Sequence, residues 1–134
     1  MQTIETFPAE FLILIFLSIT FFFSGLEKIF GWKESLLFYT DHFKDTFIRN
    51  WIFPLLIFII ISEMICGLFS VIGIIQIIGQ ANRTIGLFAT IISAIVLLIM
   101  LVGQRIAKDY AGAMNITVYF ILTVIGVFLM SKPV

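Results

Sequence analysis

Six residues carry ionisable or hydrogen-bonding side chains at places where such groups are expensive: Glu27, Glu63, Arg105, Asp109, Asn115 and Tyr119. Glu63 is the extreme case. It lies in a long apolar run beginning at Trp51, 12 residues in. At 1.5 Å per residue it sits about 18 Å deep, near the middle of a ~30 Å hydrocarbon core. A carboxyl group there is by default a ligand-binding or proton-relay group, because burying it unpaired costs several kcal/mol. The plain alternative is a protonated or paired glutamate that holds two helices together.

The stretch Ser24-Gly25-Leu26-Glu27-Lys28-Ile29-Phe30-Gly31 closes a run with no charge from Phe11 to Leu26. Neighbouring residues on a helix point roughly 100° apart, so Glu27 and Lys28 do not mainly pair with each other. Thr20, Ser24, Glu27 and Gly31 recur at helical spacing, which predicts that Glu27 looks inward, toward Arg105. Lys28 is then free to reach for lipid headgroups. Arg105 also suits a helix C-terminus, and Asp109 suits an N-cap. Gly112, Asn115, Tyr119, Thr123 and Gly126 form another polar or small face.

The composition says what must position these groups. The chain has 134 residues, 61% hydrophobic and 12% charged, with a mean hydropathy of +1.18. Soluble domains are near half apolar and a quarter charged. The apolar runs are continuous and do not alternate, which excludes a β-barrel. The expected fold is an all-α integral membrane protein, a four-transmembrane-helix bundle in one domain. Spans are expected over about 8–30, 51–78, 85–106 and 110–130. Thr6 is the expected cap of the first, and Pro54 sits harmlessly in the first turn of the second. Residues 32–50 mix charge with Trp32, Phe38 and Tyr39, which predicts an interfacial amphipathic segment between the first two spans.

Other chemistries fall away. A net charge of zero argues against nucleic-acid binding, and one cysteine allows no internal disulfide or thiol pair. Cys66 reads as a small packing residue. One histidine, His42, makes a metal site of ordinary composition improbable. No lysine or arginine precedes Lys28, so the first apolar run reads as a retained helix rather than a cleaved signal. In the second span Ser62, Glu63, Cys66, Gly67, Ser70 and Gly73 make a small and polar stripe suited to close helix contact.

With four spans, Glu27, Lys28, Arg105, Lys108 and Asp109 fall at one end, side B. Glu63, Asn115 and Tyr119 are reached from that end. Side A, bearing the N-terminus, is expected to be nearly empty of polar groups. Side B holds Lys28, Lys33, Lys44, Arg49, Arg105 and Lys108, against Arg83 and Lys132 on side A. That bias places B in the cytoplasm. Setting aside Lys28, Arg105 and Lys108 as site residues leaves the orientation open.

Ser24-Gly25-Leu26-Glu27-Lys28, Glu63-x-x-x-Gly67 and Arg105-x-x-x-Asp109, in that order along four spans, resemble the DoxX and DoxX-like membrane proteins. The resemblance implies a small four-helix protein of the bacterial inner membrane. It further implies an accessory subunit linked to quinone-coupled oxidoreductases, with quinone or lipid as a non-covalent ligand and no redox centre of its own. Expected partners are membrane lipids and other membrane subunits or further copies of the chain. Two other classes stay open: a structural subunit of a larger complex without ligand chemistry, and a proton-coupled small-molecule transporter.

Overall fold

The computed structural model describes residues 5–133. Five α-helices follow in order: α1 Pro8–Phe30, α2 Trp32–His42, α3 Ile52–Gln80, α4 Thr84–Ile106 and α5 Tyr110–Met130, with a 3-10 turn at Arg49–Trp51. All but α2 are long and apolar enough to cross a membrane. By length and composition the protein is a multi-pass membrane protein. α1 packs on α3, α3 on α4 and α4 on α5, and α5 closes more lightly on α1.

Helix ends match the sequence closely but not everywhere. The N-cap position of α1 is held by Phe7 rather than by Thr6. α3 runs on to Gln80, and Ala81 ends it with a left-handed φ of 51°. In the short turn that follows, Asn82 Oδ1 accepts from the Thr84 backbone N–H at 2.8 Å. Asp109 does cap α5: its Oδ1 accepts from Gly112 N–H at 2.8 Å.

Small residues bring the helices together. A methyl on Gly73 would lie 2.9 Å from the Gly86 Cα, so α3 and α4 touch backbone to backbone there. Most polar side chains along the seams satisfy themselves. Ser18 donates to Leu14 O, Ser70 to Cys66 O and Thr123 to Tyr119 O, each four residues back. The outward surface is Leu, Ile and Phe, including Leu12, Phe23, Phe58 and Ile121. That is the surface a bilayer accepts.

Candidate functional site

The direction of helix side chains builds the site. A Cα–Cβ bond tilts toward the N-terminus of its helix. Lys28 is near the B end of α1, so its stem leans back into the bundle. α3 runs the other way, so Glu63 leans toward B. They meet: Lys28 Nζ donates to Glu63 Oε1 at 2.9 Å. The ammonium also donates to Ser24 Oγ at 2.6 Å, and its approach to Ser24 O is long, at 3.4 Å. The two side chains are only 11% and 1% exposed. Gly25 faces α3 here: a methyl there would lie 3.7 Å from Glu63 Cβ and would displace the flexible Met64 thioether.

The pair is satisfied on one side only. Glu63 Oε2 is buried without a hydrogen-bond partner among the described residues, and so is Ser93 Oγ on α4. Cys66, one turn beyond Glu63, adjoins Ser93 and stands within electrostatic range of Glu63. α1, α3 and α4 thus enclose a small interior group of Glu63, Cys66 and Ser93. Polar groups buried in this way are rarely left unpaired.

Lys28 also lines a cleft of about 280 Å³ between the B-side halves of α3 and α4. Ile52, Leu56, Ile59 and Met100 give it apolar walls, and Tyr39 and Gln104 add polar groups. Tyr39 and Phe43, from α2 and just beyond it, line the same cleft. α2 is tied down at its end: His42 Nε2 is 3.0 Å from Gln104 Oε1 and 3.6 Å from Asp109 Oδ2. A more open recess of about 270 Å³, bordered by Glu27, Glu34 and Ser35, shares Lys28 and Tyr39 with the cleft.

The expected site residues divide. Glu63 is at the centre. Glu27 is exposed at the rim, and Lys28 is the inward member of the pair, which reverses the expectation. The buried face of α1 runs through Leu14, Leu17, Phe21, Gly25 and Lys28, one position away from the polar stripe read from the sequence. Arg105 is exposed and lies 5.0 Å over the Tyr110 ring, not against Glu27. Asp109 is a cap and a neighbour of His42. Asn115 is exposed, because α5 buries Ala113, Ile116, Thr123 and Gly126 instead. Tyr119 packs on the core cluster that contains Cys66, with its ring 5.9 Å from Phe16.

Ser93, Gln104 and Tyr39 were not among the expected site residues, and Lys28 was expected to reach outward to the headgroups. For Lys28 the available signal was helix direction: a lysine at a helix C-terminus leans inward, with Ser24 four residues back to receive it. Side A is not empty either. Glu10 and Arg83, 7% and 9% exposed, form a buried ion pair there. No family model, curated protein or solved structure matches the chain.

Proposed function

We propose that this protein holds the head of a lipid-soluble molecule in the B-side cleft, with Lys28 as the donor that recognises it. The observation that carries this is Lys28, its ammonium buried against Glu63, in the lining of a largely apolar cleft. An apolar space with few convergent polar groups is the usual form of a small-molecule site. In a four-span protein such a cleft suits a ligand that arrives through the bilayer. A quinone fits these terms: its ring and tail suit the apolar walls, and its carbonyl oxygens accept from Lys28 or the Gln104 amide. The DoxX-like motif residues favour the same class, with the chain acting as an accessory subunit in a bacterial inner membrane. On this reading α2, with Leu37, Phe38 and Phe47 exposed in and beside it, lies at the interface and covers the cleft mouth.

Trp51 precedes the cleft residue Ile52, and Trp32 packs edge-on to Phe53 with ring centroids 5.5 Å apart. Titrating the purified protein with a short-chain quinone is expected to quench tryptophan fluorescence saturably. Lys28→Met is expected to weaken that response at least tenfold. A linear, non-saturating response that is the same in both proteins would refute the quinone reading.

A further inference from the structure

The orphaned oxygen of Glu63 has a consequence for what the cleft accepts. With Lys28 charged and Glu63 ionised, the pair is neutral, and Glu63 Oε2 and Ser93 Oγ have no hydrogen-bond partner among the described residues. A proton on Oε2 removes the charge from this buried carboxyl group. Glu63 Oε1, then a carbonyl oxygen, still accepts from Lys28. The change leaves one positive charge, on an ammonium whose third proton has only the 3.4 Å approach to Ser24 O. Lys28 itself lines the cleft.

We infer that the cleft binds a long-chain carboxylate together with one proton, the carboxylate on Lys28 and the proton on Glu63. Charge decides it. In a low-dielectric site a second anion beside an ionised Glu63 is strongly disfavoured, whereas carboxylate plus proton leaves the site neutral. The apolar walls of Ile52, Leu56, Ile59 and Met100 suit an alkyl chain. Other ionisable groups near the pair do not replace Glu63 in this role. Glu27 on α1 and Glu34 on α2 border the open recess rather than the interior. Tyr39 on α2 lines the cleft, Cys66 is on Glu63's own helix, and Tyr119 on α5 packs against the core around Cys66. α4 contributes Ser93 and Gln104, which do not titrate, and its Arg105 faces outward. The inference rests on the cleft being a head-group site, as proposed above, but it does not require a quinone.

The test is calorimetry of laurate binding to the full chain in lipid nanodiscs, in two buffers of different ionisation heat, with dodecanol as the uncharged control. The expected result is uptake of about one proton per laurate, with affinity falling about tenfold per pH unit as pH rises. Dodecanol is expected to bind at least tenfold more weakly and with no proton. Glu63→Gln keeps an acceptor for Lys28 and a donor for the interior, so it should bind laurate with no proton uptake and no such pH slope. Laurate binding by the unmodified protein without proton uptake overturns the inference, as does unchanged uptake in Glu63→Gln. Quinone binding without laurate binding overturns the inference alone. Binding of neither overturns the cleft reading as well.

Discussion

The molecule has a buried ion pair at each end, and the two are built for opposite ends of a functional scale. On side A, Arg83 Nη1 donates to Glu10 Oε2 at 3.2 Å and to Leu129 O at 2.7 Å, and Nη2 donates to Lys132 O. The guanidinium also lies 4.6 Å over the Phe7 ring. One planar fork thereby ties the start of α1, the start of α4 and the chain around the end of α5, as suits arginine's fixed donor geometry. On side B a flexible lysine meets a carboxylate with one oxygen left over and a cleft alongside. A saturated pair beside packed backbone is a clasp. An unsaturated pair beside a cavity has interactions to give to something else.

Substitutions should separate the two. Arg83→Leu is expected to have the largest effect, since it strands a buried Glu10 and releases two carbonyls. Removing one partner of a buried pair costs about 3–5 kcal/mol, readable as a lower midpoint in denaturant unfolding. Where folded protein remains, binding at side B should be unchanged. Lys28→Met should be milder, about 2 kcal/mol, because Lys28 reaches α3 through one bond whereas Arg83 ties three segments together. The double change Lys28→Met with Glu63→Leu should return to within about 1 kcal/mol of the parent while ligand binding stays lost. Stability and binding would then part company at B but not at A.

Gly73→Ala tests whether the A-side half is as rigid as its packing implies. The new methyl would meet the Gly86 backbone, 2.9 Å away, which has no rotamer to change. A loss of about 1.5 kcal/mol is expected, with the cleft intact. Asp109→Ala should do least, about 1 kcal/mol for a lost cap, and should loosen the tether between His42 and the α4–α5 turn. A faster ligand on-rate by stopped-flow fluorescence would place α2 over the cleft mouth. An unchanged rate would remove it from the path.

Much of the fold was legible because lipid leaves few choices. Backbone groups without water must be satisfied internally, so long apolar runs become helices whose lengths can be counted. Pro8, Pro54 and Asp109 marked their positions by ordinary helix-end chemistry, and the stripe from Glu63 to Gly73 was correctly read as an inward face. The site was legible only in part. A difference of one residue is 100° on a helix, and the even spacing of Thr20, Ser24 and Glu27 pointed to the wrong face of α1.

The sequence by itself determined that this chain has four membrane-length helices and that Glu63 must be buried among them. Those conclusions need only hydropathy, helical rise and the high cost of a lone carboxylate in hydrocarbon. Only the tertiary structure decided who meets Glu63. Antiparallel α1 and α3 lean their side chains toward each other. Lys28 therefore turns inward, Glu27 stays at the rim, and Arg83, forty-six residues from Leu129 in sequence, closes the far end. Such pairings depend on helix rotation and on contacts distant along the chain, which no local spacing encodes.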